Sequence, residues 1–493
     1  MKFEFPMTTP EAVGIPSAAV ERFLMRLENK RLPMHSILML RRGKLVFETY
    51  RKPFDVNRKH RLYSTSKSFV SVAIGILIGD GKLALDDLVT KFFPDLVPED
   101  LHPYTAAATI RDLLMMATPH LRNDSCTYTP QKPDWAASYF QTLPTHLPGK
   151  IFSYDTTATM MLSIIVKRIT GVEFTEFLRD RLFIPAGMSE DIRCIETPCG
   201  HEWGGSGVLA TPRDLMKFAY TCMNGGVING QQLIPADYIK AATSKQIDNT
   251  FTAGDYEHTF GYGYQFWRTR HNGFACRGMG AQLAICLPDQ DFILVTTGDT
   301  QAIPSATCVI YEALWAEIYP YLEKYVSLPE NPDACAKACA RWDGQEIIHV
   351  EGAVTSPMAE KISGVTYRSS GNELNFTSLC VTLNGDTGTL AWTNATGAHT
   401  LPFGIGKQAG SRFPETHYYG SRIGTPAGYG YDCVTSAAWV TDSTLHLVCY
   451  AIDDYIGTLR MEINFEDNTA TVQSTKFAEW FFDEYYGLAT LEA

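Results

Sequence analysis

The chain has 493 residues, of which 45% are apolar and 12% aromatic, and its formal net charge is −12. A chain of this length exceeds one compact domain, so we expect one large and one smaller domain. Because Lys and Arg form no long run, nucleic acid is excluded as an expected partner. The first residues lack the apolar core of a signal peptide, which predicts a cytoplasmic location.

Two apolar runs near the start, residues 36–40 and 45–50, flank the turn 41–44 and predict an antiparallel hairpin. The longest apolar stretch, residues 69–79, is interrupted by Ser71. A membrane-spanning helix needs about 20 apolar residues. This stretch therefore predicts a buried helix, and no membrane partner is expected.

Helical patterns dominate the next part of the chain. A Thr cap precedes the run 109–116, and apolar spacing over 156–170 ends at Gly171. Thr211 followed by Pro212 opens another helix.

Strand patterns return at residues 262–267, 282–287 and 292–297, and a terminal helix is expected at 309–325. Strands at both ends of a helical insertion predict an α+β fold, with helices flanking an antiparallel sheet.

We place this domain at 1–326, a linker at 327–344, and a β-rich domain at 345–493. Period-two alternation at 379–383 and 459–465 predicts a barrel or a sandwich for the last domain.

Ser64 and Lys67 stand three residues apart at the start of the predicted buried helix. Side chains at this spacing project from one face. A lysine partly stripped of water has a lowered pKa and can take a proton from a serine. The alternative is that Ser64 only caps the helix and Lys67 is solvated. Ser-x-x-Lys is common by chance, so the motif needs further support.

Two later segments supply that support. Pro148-Gly149 leads to Tyr154 just before a helix, and residues 276–278 (Cys-Arg-Gly) precede a predicted strand. Together with Ser64-x-x-Lys67 they resemble the three signatures of the serine β-lactamase and penicillin-binding protein superfamily. The resemblance is closest to the class C β-lactamase, DD-peptidase and esterase branch, and it covers residues 10–325.

The resemblance implies a role for each matching residue. Ser64 would attack a carbonyl and Lys67 would help to remove its proton, while Tyr154 would share this work and protonate the leaving group. The backbone N–H groups of Ser64 and Met279 would form the oxyanion hole. Gly278, at the third motif, would lie in the substrate-binding edge.

Two motifs depart from the family pattern. Thr156 stands where an Asn is usual, and Cys276 stands where the third motif has its Lys. Arg277 could bind substrate in place of that Lys, or could face away from the cleft. These departures resemble esterase and amide-hydrolase branches more than true β-lactamases.

The sequence thus predicts a serine hydrolase that acts through an acyl-enzyme on small esters, amides or D-amino-acid peptides, with weak or no β-lactamase activity. The alternative is a sensor or binding protein that keeps the fold without turnover. The expected partner is a small molecule or short peptide; the sequence leaves the oligomeric state open. We expect no cofactor and no metal, because Cys335 and Cys339 have no Cys or His cluster beside them.

Overall fold

The computed structural model describes residues 3–121, 134–252, 254–324, 326–416, 430–479 and 481–493. The chain divides into two compact units. The first comprises residues 1–300 and 305–345, and the second comprises 301–304 and 346–493. In these described ranges, no helix combines the length and the apolar character needed to cross a membrane.

The first unit is built on a six-stranded sheet in the order β2-β1-β11-β10-β9-β8, with all neighbours antiparallel. The predicted hairpin and the two strands after residue 281 are confirmed. The strands of this unit are β1 (Met34–Arg41), β2 (Lys44–Tyr50), β3 (His60–Arg61), β4 (Arg193–Cys194), β5 (Val208–Ala210), β6 (Val227–Ile228), β7 (Gln231–Gln232), β8 (Trp267–Arg268), β9 (Phe274–Gly278), β10 (Gln282–Leu287) and β11 (Phe292–Gly298).

Helices cover this sheet and fill the insertion between its strands. α8 packs on β1, β10 and β11, and α2 packs on α6. The helices are α1 (Ser17–Asn29), α2 (Ser66–Gly79), α3 (Pro103–Ala106), α4 (Ile110–Leu114), α5 (Trp135–Gln141), α6 (Thr156–Thr170), α7 (Phe174–Leu178), α8 (Pro212–Met223), α9 (Ala236–Ala242), α10 (Ala306–Ala313) and α11 (Pro332–Ala340).

The helix signals of the sequence are confirmed where capping residues stand. The hydroxyls of Thr109 and Thr211 each accept a hydrogen bond from the N–H of the third helical residue, an Asp, whose carboxylate accepts in turn from the N–H of the Thr, which completes a capping box. α6 ends at Gly171, whose φ of 82° lies in the left-handed region that favours glycine. The buried helix α2 also matches its prediction.

Two secondary-structure predictions were wrong. Only Trp267 of the predicted strand 262–267 is in a strand, because Gln265 has φ 66° and breaks the extended backbone. The terminal helix stops being α-helical at Ala313, and Pro320, which has no N–H to donate, lies in the single turn that ends it. Tyr325, its predicted last residue, lies outside the described residues.

The segment predicted as a linker contains α11. Asn331 caps it by accepting from the Ala334 N–H, and Pro332 occupies its first position. Ion pairs hold it to α1, where Lys337 pairs with Glu21. The domain boundaries drawn from the sequence stay a prediction.

The second unit is a closed β-barrel, which settles the open choice between barrel and sandwich. Nine strands follow one another from β15 through β14, β13, β12, β21, β20, β19 and β18 to β17, and the parallel pairing of β17 with β15 closes the ring. The elements are β12 (Thr366–Arg368), β13 (Ser378–Asn384), β14 (Thr387–Asn394), β15 (Gly397–Ile405), β16 (Ala409–Arg412), β17 (Asp432–Trp439), β18 (Thr444–Ile452), β19 (Ile456–Glu466), β20 (Thr469–Phe477), β21 (Gly487–Glu492) and α12 (Ala359–Ile362).

Two buried histidines lie next to each other in the first unit. His35 Nδ1 is 3.3 Å from His60 Nε2, and the Phe54 ring stacks on both imidazoles. Burial lowers the pKa of His60 to about 3 and holds that of His35 well below its usual value. The nearby cations Arg51 and Arg58 act in the same direction.

We therefore expect the free energy of unfolding to fall as the pH drops from about 6.5 towards 3. Only the unfolded chain takes up the two protons in this range, and the loss should reach several kcal/mol. Urea unfolding at a series of pH values measures it. The exposed His102, exchanged for Gln, is the control. If His35→Phe/His60→Phe keeps the wild-type pH slope, the pair is not the cause.

Candidate active site

Ser64 lies at a sharp turn between β3 and α2. A single 3₁₀ turn, Tyr63–Thr65, carries it. Tyr63 has φ 46°, a conformation uncommon for a bulky side chain. Its ring is buried, with the Arg61 guanidinium 4.2 Å from the ring centroid. The packed ring thus supports the turn that presents Ser64.

Hydroxyl groups around Ser64 tie the start of α2 to its surroundings. Thr65 Oγ1 donates to the Gln282 carbonyl at 3.0 Å, and Ser68 Oγ donates to the Gln265 carbonyl at 2.7 Å. Ser66 Oγ accepts from the Val208 N–H at 3.0 Å. These bonds fix the helix start in one position, which a preorganised site requires.

Lys67 is the buried cation of the site, with 1% of its surface exposed. Its Nζ donates to Ser64 Oγ at 3.1 Å and to the Gly205 carbonyl at 2.6 Å. The same nitrogen is 5.2 Å from the centroid of the Tyr154 ring. The structure therefore brings Ser64, Lys67 and Tyr154 together, as the resemblance implied.

Tyr154 is held by the start of α6 and by an aromatic wall. Asp155 caps this helix by accepting from the Thr157 N–H at 2.9 Å, and the Ser153 N–H donates to the Met116 carbonyl at 2.7 Å. The Tyr154 ring stacks on Trp267 at 5.4 Å between centroids. Both the backbone and the ring of this residue are thus positioned.

Gly205, whose carbonyl accepts from Lys67, has no room for a side chain. A Cβ atom at Gly205 would lie 2.4 Å from Thr156 Cγ2 and 3.2 Å from the Thr156 carbonyl oxygen. Thr156 is itself buried. Its methyl group thus packs against the backbone that receives the Lys67 hydrogen bond.

The end of β9 approaches the turn that carries Ser64. A Cβ atom at Gly278 would lie 2.1 Å from the Leu62 carbonyl oxygen, so only glycine fits there. Met279 follows it with an exposed side chain, and its carbonyl accepts from Gln282 Nε2 at 3.2 Å. Within the described residues, the backbone N–H groups of Ser64 and Met279 donate no backbone hydrogen bond outside their own elements.

Neighbouring residues of β9 face opposite sides. Cys276 is fully buried, and burial raises the pKa of its thiol to about 12, while a hydrogen bond with Ser68 opposes this. Arg277 instead lies over Trp267, with its guanidinium carbon 5.5 Å from the ring centroid. Arg277 thus contacts the ring that stacks on Tyr154.

Three features of the site carry no signal in the sequence motifs. Trp267 lies at the end of the predicted strand 262–267, and the strand pattern does not indicate that it stacks on Tyr154 and supports Arg277. The Gly205 carbonyl, which accepts from Lys67 Nζ, lies outside the motifs. Asp255, 3.7 Å from Arg277 Nη2, also lies outside them.

Glu202 anchors the loop that carries Gly205. Its carboxylate accepts hydrogen bonds from the N–H and the hydroxyl of Thr175 in α7. Burial raises the pKa of this carboxyl to about 7. The buried carboxylate of Glu202 thus ties this loop to α7.

The chain belongs to the beta-lactamase family, whose profile matches residues 20–302. This is a family of serine hydrolases, and its fold agrees with the sheet and helical insertion described above. The C-terminal barrel lies beyond the matched range.

Several relatives share this region. The 6-aminohexanoate-dimer hydrolase of Paenarthrobacter ureafaciens is 24% identical over 265 residues, which is 50% of this chain and 67% of that protein. Penicillin-binding protein 4* of Bacillus subtilis (strain 168) is 24% identical over 163 residues, or 29% and 32% of the two chains.

Solved structures show the same fold. A Bacillus anthracis protein assigned to the 6-aminohexanoate-dimer hydrolases superposes with a TM-score of 0.55 at 20% identity, covering 66% of this chain and 89% of its own. EstCE1, a hydrolase with promiscuous acyltransferase activity, superposes with a TM-score of 0.50 at 14% identity, covering 60% and 100%.

Proposed function

We propose that this chain hydrolyses small esters, amides or D-amino-acid peptides through an acyl-enzyme formed on Ser64. The observation that carries the proposal is the hydrogen bond from Lys67 Nζ to Ser64 Oγ, with the Tyr154 ring 5.2 Å from the same nitrogen. A nucleophile beside a buried amine and a phenol is the arrangement that covalent acyl transfer needs.

In the first half-reaction, Ser64 Oγ attacks the substrate carbonyl carbon and its proton passes to the Lys67–Tyr154 pair. The backbone N–H groups of Ser64 and Met279 are the proposed donors to the oxyanion; one such donor is typically worth about 2.7–4 kcal/mol. Collapse breaks the bond to the leaving group, which Tyr154 protonates. The products are the acyl-serine and a free alcohol or amine.

In the second half-reaction, water attacks the acyl-serine carbonyl. Lys67 and Tyr154 take the proton of the water and return one to Ser64 Oγ as the acid leaves. The Gly205 carbonyl, 2.6 Å from Lys67 Nζ, holds the amine in place through both halves.

Weak or absent β-lactam hydrolysis is part of the proposal. Thr156 turns its methyl group to Gly205, where the family pattern has an Asn amide. Cys276, in the place of the third-motif Lys, is buried and electrically neutral at ordinary pH. The same two replacements favour the second candidate, a penicillin-recognising sensor that acylates without turnover.

The test compares wild type with Ser64→Ala, using a fluorophosphonate probe and a panel of chromogenic esters, amides, D-peptides and β-lactams. Wild type should be labelled and should turn over at least one ester, whereas Ser64→Ala should do neither. Ser244→Ala, an exposed serine of the same unit, is the matched control. Equal labelling of wild type and Ser64→Ala contradicts the proposal. A stable adduct on Ser64 without product release would instead favour the sensor.

A further inference from the structure

The charge of Arg277 is the feature that the proposed reaction does not use. Its side chain is 29% exposed, and its guanidinium lies over Trp267, which stacks on Tyr154. The Arg277 guanidinium and the Tyr154 ring thus contact the same indole ring. Because Tyr154 is the proposed proton donor to the leaving group, a charge one ring away would act on that side of the substrate.

Asp255 compensates this charge. Its carboxylate lies 3.7 Å from Arg277 Nη2, and its side chain is 26% exposed. Burial alone would raise the pKa of Asp255, but its hydrogen bond with His258 and the charge of Arg277 lower it. The carboxylate is thus ionised at neutral pH.

His258, Glu257 and Arg270 add no net charge beside this pair. His258 contacts Asp255 and Trp267, and burial lowers its pKa to about 4, so that it is neutral at pH 7. Glu257 is paired with Arg270 at 2.6 Å. The balance beside Tyr154 is therefore one positive charge against one negative charge.

We propose that Asp255 is a specificity-determining residue, which cancels the charge of Arg277 and so makes the site prefer substrates with an uncharged leaving group. The inference rests on the proposed function and names the substrate class of the same site. Arg277 without its partner would instead attract a carboxylate, and Asp255 without Arg277 would attract a cation.

The test uses three aryl acetates whose leaving phenols carry different charges: phenyl acetate, meta-carboxyphenyl acetate and meta-(trimethylammonio)phenyl acetate. Comparing the variants with wild type cancels the intrinsic differences in reactivity between the esters. The readout is the ratio of kcat/KM for each charged ester to that for the neutral one. Asp255→Asn should raise the carboxylate ratio about fivefold, the upper range for a partly exposed ion pair, and lower the cation ratio similarly. Arg277→Gln should move both ratios the opposite way.

Three controls separate charge from structure. Asp255→Asn/Arg277→Gln should return both ratios to wild type, and Asp255→Glu should stay close to it. The differences should shrink at high salt, because solvent screens exposed charges. A merely structural role would lower kcat/KM for all three esters together and leave the ratios unmoved.

The outcomes distinguish this inference from the function beneath it. Ser64-dependent turnover with ratios that do not change between variants, or that shift in the same direction in both single variants, overturns the role of Asp255 alone. Absence of Ser64-dependent turnover of every ester overturns the proposed function and this inference with it.

Discussion

Replacing Lys67 by glutamine is expected to lower kcat/KM for a chromogenic ester by about a thousandfold or more, the contribution of a positioned acid–base group. Lys67 Nζ is the atom that joins Ser64 Oγ, the Gly205 carbonyl and the Tyr154 ring. An amide side chain can donate to both oxygens but cannot take up the serine proton. Steady-state kinetics and the rate of fluorophosphonate labelling measure the loss.

The control for this variant is Lys91→Gln, which removes an exposed lysine of the same unit. Thermal unfolding of Lys67→Gln shows whether the variant is folded under the assay conditions. A folded variant that labels and turns over at the wild-type rate would contradict the assignment of Lys67 as the base partner.

Exchanging Gly205 for alanine is expected to reduce both stability and activity. The new Cβ atom would lie 2.4 Å from Thr156 Cγ2, closer than real Cβ contacts, and overpacking of this kind typically costs about 1–3 kcal/mol. Relief of the clash moves the Gly205 carbonyl away from Lys67 Nζ. We expect kcat/KM to fall by about a hundredfold, as for a misplacement of about 1 Å.

A second substitution tests whether this contact is the cause. Thr156→Ser removes Cγ2 and keeps the hydroxyl, so Gly205→Ala/Thr156→Ser should recover part of the lost stability and activity relative to Thr156→Ser alone. The contact at 3.2 Å with the Thr156 carbonyl remains, so recovery should be incomplete. Gly371→Ala, with open space around the new Cβ, is the control. No recovery in the double variant would contradict the proposed clash.

The parts of the fold that could be predicted from the sequence are those fixed by local chemistry. α6 runs from Thr156 to Thr170 because Asp155 caps one end and Gly171 turns the chain at the other. The barrel strands follow the alternation of Leu459, Met461, Ile463 and Phe465, all of which are buried. In each case the residues that predict the element lie within it or directly beside it in the sequence.

Gln265 shows why local pattern fails elsewhere. Its amide donates to the Leu113 and Leu114 carbonyls and accepts from Thr159 Oγ1, at 3.0, 3.0 and 2.7 Å. These partners lie more than 100 residues away in the chain and satisfy a residue in a conformation that no strand uses. An alternating run of aromatic residues gives no sign of such contacts.

Some residues of the candidate site also have a local sequence signal, and others have none. The spacing of Ser64 and Lys67 and the turn before Tyr154 are local signals, and the structure brings these residues together. The pairing of Arg277 with Asp255 joins residues 22 positions apart in the chain, which no short motif encodes. Asn331-Pro332, by contrast, was a readable helix start within a segment interpreted as a linker.

The assignment of residues 301–304 to the barrel unit has a practical consequence for dissecting this protein. The chain leaves the first unit after Thr300, returns at Ser305 and leaves again after Gln345. The backbone therefore passes between the two units three times. Gln301 Nε2 donates to the Ile456 carbonyl inside the barrel at 3.1 Å. A stop codon after residue 345 would therefore leave residues 301–304 without the barrel that they belong to. To express the first unit alone, the segment that connects β11 to α10 has to be replaced by a redesigned loop.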